Sequence, residues 1–593
     1  MSTLSLRMRL DTYALFCQRT ESIGRTDMSI RRWFKKQARK AKKKVTCFAP
    51  SFETLEDRLT PAILSDTGAE LFIDLQANED LQAVSNGSEY VFTSDQPFVA
   101  AGLADLNDFD GFGTNSLTLK ASGLARYDTL TFEDGFRGSL TFGNSGLNSF
   151  SDDINIDFDD ATATVGTSLS VLGDLSVRGP ELIVNGNIGT LGSQTYDAPI
   201  TLTSSVVLGS GSNRDITFNG TIDGAFLLLV NSVGVTRFEG NIGLTEALTR
   251  LETSAGGRTV FGADPTLNLS GAAEFNDAVT LESRLTISAN RITFNDTLDG
   301  DHTLLADAAT QLTFAGDVGT NVALDAIRVG TQGTTAISAD VVHTTGLQRY
   351  ENDVQFFNST TLIANELNFE GGSGSVQGKP SNLLLAATLT ILQNDPTRAL
   401  TLGFDADQGN ASFDLIDKDL QAFDGNFASI NVGDASHSLV TFFTATIPNS
   451  TLNVRARQID IDDRVSAGNT DVNLTATNTV RFNADSGYTT VDGALTVLTT
   501  GASSGDFQGI RVQNGVTVET TATGNISLTG TGSRDTAAIS DLYGVHINGT
   551  VQSTSTASDA GTITINGSGG VGQNRRHGVV ITGEVLSAAG DIE

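Results

Sequence analysis

Two short acidic runs are the best candidates for binding chemistry in this sequence. The first is Asp105-Leu106-Asn107-Asp108-Phe109-Asp110-Gly111, and the second is Asp152-Asp153-Ile154-Asn155-Ile156-Asp157-Phe158-Asp159-Asp160. Calcium takes about six to eight oxygen ligands, and clustered Asp and Asn supply several at once. The candidate ligands are Asp105, Asn107, Asp108 and Asp110 in one run, and Asp153, Asn155, Asp157 and Asp159 in the other. Neither run places a Glu where a helix-loop-helix calcium site would close. The competing reading is therefore a solvated strand face or turn, and calcium is the one cofactor the sequence suggests.

Other chemistry is weaker. The histidines His302, His343, His437, His546 and His577 are scattered through the chain, and none pairs at metal-ligand spacing. Gly372-Ser373-Gly374-Ser375-Val376-Gln377-Gly378-Lys379-Pro380 has one residue too many between its glycines for a phosphate loop. Pro380 also stands where a magnesium-binding Ser or Thr belongs, so the segment reads as a loop. Carboxylates are plentiful, but no pair is marked for acid–base work. The sequence predicts no catalysis; a carbohydrate-active β-helix, either polysaccharide lyase or hydrolase, is the alternative.

The elements that position these residues follow from composition and pattern. The chain has 593 residues, with 62 Gly, 9 Pro, 32 Phe and a formal net charge of −32. Residues 1–62 hold 14 Lys/Arg and 6 Asp/Glu, which leaves 23 and 63 for the rest. A body this acidic repels phosphate backbones, so nucleic acid is excluded as a partner. Both cysteines, Cys17 and Cys47, fall in the basic segment, which excludes a disulfide framework or thiolate metal site from the body. The longest apolar run, 225–230, is far short of the ~18–20 residues a membrane helix needs, so no transmembrane helix is expected.

Beyond residue 62 the chain is a series of short runs in which apolar and polar residues alternate, separated by Gly, Asn and Asp. Val279/Leu281, Leu285/Ile287 and Ile292/Phe294 are examples. Period two is the strand signal. One exception, 417–423, has helical character. The strands repeat. Residues 216–264 match 292–340 at 18 of 49 positions, and Tyr196, Phe275 and Tyr350 mark equivalent points of successive copies. This unit of about 75 residues predicts three or four solenoid coils. Farther on, Gly509-Ile510-Arg511-Val512, Gly544-Val545-His546-Ile547 and Gly578-Val579-Val580-Ile581 recur at nearly equal spacing. Two strand landmarks in each such repeat predict coils of ~17–20 residues. Phe132, Phe142, Phe218, Phe238, Phe294, Phe314, Phe369 and Phe482 recur with polar neighbours, which points their rings inward as a stack.

Two stretches carry resemblances. Leu55-Glu56-Asp57-Arg58-Leu59-Thr60-Pro61-Ala62, preceded by the basic block 31–44, resembles the leader of large planctomycete surface and secreted proteins. Asp57 stands where that motif usually has proline. The leader in that family starts a few residues before the basic block, which suits Met28. The repeats over 180–593 resemble filamentous-haemagglutinin-like β-helical arrays of bacterial surface proteins. The resemblance implies export to the cell surface; the expected partners are surface glycans or other surface proteins.

The sequence thus predicts an all-β chain, a right-handed parallel β-helix. A disordered basic leader occupies 1–62, a β-rich capping region 63–180 and a solenoid of ~75-residue repeats 181–380. An irregular solenoid follows at 381–500 and one of ~35-residue repeats at 501–593. Coils of ~20 residues at ~4.8 Å rise would make a rod of about 120–130 Å. The closing residues 589–593 align with the first residues of a repeat strand, so a further strand is expected to follow. The expected function is that of an exported, cell-surface structural or adhesin-like protein.

Overall fold

The computed structural model describes the strand residues between 63 and 150 together with Phe98, and then residues 153–593 except 161, 379–386, 404–411, 424–425, 503, 540 and 574. The basic leader predicted at 1–62 lies outside the described residues. The body is a β-solenoid of stacked parallel coils. Each coil bends through three short strands, and alternation decides which side chains enter the core. In Asp153–Phe158, the side chains of Ile154, Ile156 and Phe158 are buried while Asp153, Asn155 and Asp157 face outward. The chain then turns through Thr162–Val165 and Leu169–Val171, and Leu175–Arg178 stacks on the first strand with Leu175 beside Ile154 and Val177 beside Ile156. We call these three positions faces A, B and C.

Face A runs through nearly the whole body. From Thr129–Asp134 it passes by way of Asp153–Phe158, Gln194–Asp197 and Arg258–Phe261 to Leu298–Asp299. Single bridges from Leu298 to Val318 and from Val318 to Val342 join it to the later strands through Ile563–Ser568, on which Ile592 adds a further single bridge at Ile563. The N-terminal end is built differently. Ile63–Asp66 pairs antiparallel with Glu70–Leu75, as do Asp80–Ser85 with Tyr90–Ser94 and Tyr90–Ser94 with Ser116–Leu119. Glu70–Leu75 and Asp80–Ser85 lie parallel on the first coil and cover strand edges that would otherwise be open to other chains. Among the described residues, no helix is long and apolar enough to cross a membrane.

The longer repeat is not a whole number of coils. Counting strand positions from Tyr196 to Phe275, and again from Phe275 to Tyr350, gives eleven each time, one short of four full turns. Equivalent residues therefore move back one face per repeat: Tyr196 lies on A, Phe275 on C and Tyr350 on B. The aromatic stack moves with them. Tyr196, Phe218, Phe238 and Phe261 stack on face A at ring-centroid spacings of 5.3, 5.0 and 5.5 Å. Phe275 meets Phe261 edge-on at 5.4 Å and starts the face C stack with Phe294 and Phe314. Tyr350 and Phe369 open the next on face B, 5.6 Å apart. The expected inward stack is thus present. Phe482 is buried as well, in a stretch of aliphatic neighbours. The turns repeat in the same register. Gly224 and Gly300 have φ of 125° and 129°, and a Cβ on Gly300 would lie 2.2 Å from the Leu281 carbonyl oxygen.

The expectation for the C-terminal repeats needs correction. Ile510, Val545 and Val579 are direct neighbours on face B, so one repeat is one coil and not two. Coils on face A are short and nearly uniform from Leu130 to Leu362, but those from Val497 to Leu528 and from Leu528 to Ile565 are markedly longer. The added residues lie in the connections, where period two cannot register them. Fewer, longer coils make a stack shorter than the predicted rod. The predicted helical exception is real: Asp417–Ala422 is an α-helix. It belongs to an enlarged coil, from Leu389 to Ile430, in which Ser412–Leu415 pairs with the preceding strand Ala399–Leu402, itself paired on its other side to Leu439–Phe442.

Where a stack begins with tyrosine, a glutamine two residues earlier receives its hydroxyl. Tyr196 donates to Gln194 Oε1 at 2.7 Å, and Gln194 Nε2 donates to the Gly209 carbonyl at 2.7 Å. Tyr350 and Gln348 repeat the pair, whereas Ala273 and Phe275 stand at these places in the middle repeat. Burial holds the Tyr196 phenol above its usual range, so it stays a donor. Tyr196→Phe strips a buried acceptor of its donor and should lower stability by about 1–3 kcal/mol. Adding Gln194→Ala should cost less than it does alone, which a double-mutant cycle on urea midpoints would read. Strict additivity would mean the pair is not coupled.

Candidate functional site

Four of the predicted calcium ligands can be placed with their side chains. Asp153, Asn155 and Asp157 form the outward row of one face A strand, and Asp159 is exposed in the bend that follows. Asp153 Oδ1 accepts the backbone N–H of Asp174 at 2.6 Å, and Asp157 forms an ion pair with Arg178 at 2.5 Å. Both partners belong to the next coil. Asp110 lies in the strand Phe109–Asp110, and Asp105, Asn107 and Asp108 are outside the described residues. Among the described residues, no group of three or more His, Cys, Asp or Glu is placed to hold a metal ion.

The role of Asp153 recurs along the body. Asp174 accepts Ser193 N–H at 2.7 Å, Asp215 accepts Val235 N–H at 2.7 Å, and Asp471 accepts Ala494 N–H at 2.9 Å. An aspartate at a coil corner thus satisfies an amide of the following coil with a charge-assisted hydrogen bond. Much of the acidity of this chain is built into its turns. The histidines divide between structural and surface positions. His437 is buried, with Nε2 accepting the Gln393 amide at 3.1 Å and Nδ1 3.0 Å from Asp434 Oδ1. His546 and His577, from neighbouring coils, both meet the ring of Tyr543, at 4.9 and 5.8 Å.

A groove on face C of the C-terminal half is the better candidate. It encloses about 780 Å³ over the strands Ala445–Thr446, Arg464–Gly468, Gly487–Thr490 and Thr517–Thr520. Arg464, Asp485, Ser486, Thr489, Thr517 and Glu519 are among its lining residues. Alternation explains the polar lining: Val465, Tyr488 and Val518 turn inward to the core, so their neighbours turn outward. Thr489 Oγ1 donates to Glu519 Oε1 at 3.1 Å and Gln552 Nε2 to Oε2 at 2.8 Å, which fixes the carboxylate in place. Asp485 holds a left-handed backbone with φ of 67°, and the Ser486 hydroxyl beside it is buried without a hydrogen-bond partner. Hydroxyls, one guanidinium and carboxylates on a concave wall suit a ligand rich in hydroxyl groups, which can donate to Glu519 and accept from Arg464.

Sequence reasoning missed this groove because its residues come from successive coils, and none forms a local motif. The chain matches no protein-family model, no curated protein and no solved structure.

Proposed function

We propose that this protein is an exported, cell-surface structural or adhesin-like solenoid that engages surface glycans. The observation that supports this reading best is the groove. It is a polar concavity formed on a continuous parallel stack, lined by hydroxyl, guanidinium and carboxylate groups. A stack held together by its own core gives such a groove a rigid floor, and its regular outer faces can carry repeated contacts. The acidity of the body repels extended phosphate polymers, so an anionic group is accommodated only where cationic side chains cluster.

Two measurements test the reading. Antibody labelling and protease shaving of intact producing cells should find the body outside; protection until lysis would refute export. A panel of oligosaccharides should show binding without new reducing ends or unsaturated products. Turnover would instead assign the protein to carbohydrate-active β-helices, and no binding across the panel would refute glycan recognition.

A further inference from the structure

On face B of the C-terminal coils, the third positions of the repeated tetrapeptides form an outward column. Arg481 lies beside Arg511, and Arg511 beside His546. Their neighbours Val480, Phe482, Ile510 and Val512 are fully buried, so the two guanidinium groups leave the same sheet surface one coil, ~4.8 Å, apart. Like charges directly opposed on a sheet destabilise it. Several outward arginines meet carboxylates: Arg178 with Asp157, Arg237 with Glu239 and Glu282, Arg250 with Glu274, and Arg349, the register neighbour of Arg328, with Glu351. Among the described residues, neither Arg481 nor Arg511 closes an ion pair, and Arg511 Nε is buried without a hydrogen-bond partner. Asp460 is next in the column after Arg481 and feels its charge, but one carboxylate oxygen takes Gln458 Nε2 at 2.7 Å and the other is buried without a partner. Beyond Arg511 the column passes to His546, which meets the ring of Tyr543 and has Gln508 Oε1 3.0 Å from its Nδ1, and then to Val580.

We propose that Arg481 and Arg511 together bind the carboxylate or sulfate of an acidic polysaccharide, both guanidinium groups closing on one anionic group of the polymer. Two arginines in register, neither closed by an ion pair, are a divalent donor array for an anionic oxygen group, and an anion between them relieves their repulsion. The column also leads into the groove: Arg481 precedes the groove residue Asp485 by four positions, in the turn from face B to face C. A polymer that seats its hydroxyls in the groove can carry its charge onto the column. This inference rests on the glycan-binding reading and names the class of glycan.

The experiment uses the full chain, its Arg481→Ala, Arg511→Ala and double variants, and Arg178→Ala as a control. Binding to a polyuronate, a sulfated polysaccharide, a neutral polysaccharide, single-stranded DNA and inorganic sulfate is measured by calorimetry at two salt concentrations. The wild type should bind an acidic polysaccharide, more weakly at high salt. Each single variant should weaken that binding about tenfold, and the double variant should abolish it. Neutral-polysaccharide binding and the urea midpoint should stay unchanged or rise. Equal acidic-polymer binding by wild type and double variant would overturn the proposal. So would binding of neutral polysaccharide alone, which leaves the glycan reading intact, and binding of no glycan at all, which overturns both. DNA bound as tightly as polyuronate, or inorganic sulfate bound without either polymer, would replace the polysaccharide with a general anion.

Discussion

Phe238→Ala is expected to lower the stability of the solenoid by about 3–5 kcal/mol, the range for emptying a packed aromatic site in a core. Phe238 is fully buried between Phe218 and Phe261, stacked on them at 5.0 and 5.5 Å with interplanar angles of 5° and 18°. Its removal forfeits its own burial and also opens both neighbouring stacks, each worth about 0.5–1.5 kcal/mol beyond area. The surrounding strands cannot close the gap, because coil spacing is fixed by the backbone ladder above and below. Phe238→Leu should recover about half of the loss by filling most of the volume. Leu172→Ala, at a position 50% exposed, should change stability by less than about 0.5 kcal/mol. Urea unfolding followed by circular dichroism reads all three. A Phe238→Ala midpoint indistinguishable from that of Leu172→Ala would show that the stack carries no stability. Coils interact mainly with their neighbours, so the loss should first appear as local opening around residues 216–261 in hydrogen exchange.

The Phe pattern is readable in sequence because strand alternation translates directly into inside and outside. Phe218, Phe294 and Phe369 stand in similar local contexts, and each is buried. That they lie on faces A, C and B is not readable, since the spacing of a repeat does not say how many bends it contains. The same limit explains the miscounted coils of the C-terminal repeat. Gly509-Ile510-Arg511-Val512 and Gly544-Val545-His546-Ile547 are equivalent, as their wording suggests, but the connections between them are longer than alternation reveals. The short helix at 417–422 can be seen because its residues are neighbours in the chain. The carboxylates at Asp153 and Asp157 are legible as an acidic row, whereas their partners Asp174 and Arg178 sit one coil on. The groove and the arginine column depend on the same spacing. Once the coil length is known, Arg481, Arg511 and His546 fall into line. Gly509-Ile510-Arg511-Val512 and Gly544-Val545-His546-Ile547 already display the third-position change from arginine to histidine.

Asp419 should make the protein lose stability as the pH rises from about 4 to about 8, by as much as about 4 kcal/mol. It sits in the first turn of the helix 417–422, only 3% exposed. Burial pushes its carboxyl up to about 7; the backbone N–H groups of Phe369 and Ile416, which donate to it at 2.7 and 3.1 Å, oppose that rise without cancelling it. Glu370 adds to the rise and Lys418, paired with Glu370, works against it. The folded chain therefore holds a proton that the unfolded chain releases near pH 4. Stability from this group is complete below that pH and is lost as the pH climbs through 7. Asp277 and Asp460, raised by burial, act in the same direction. His546, lowered by burial and by Arg511, acts in the opposite one, because its folded form favours the neutral ring. The total curve mixes these, so the informative quantity is the difference between wild type and Asp419→Asn. Asparagine keeps the acceptor for Phe369 N–H through Oδ1 and carries no charge at any pH, although its amide group faces Ile416 N–H as a second donor. The variant should be less stable than wild type at pH 4.5 and should close or reverse that gap by pH 8. Urea midpoints at the two pH values, with exchange of the Phe369 amide as the local reporter, measure it. A gap that stays constant between them would show that Asp419 is already ionised throughout and that its two backbone donors outweigh its burial.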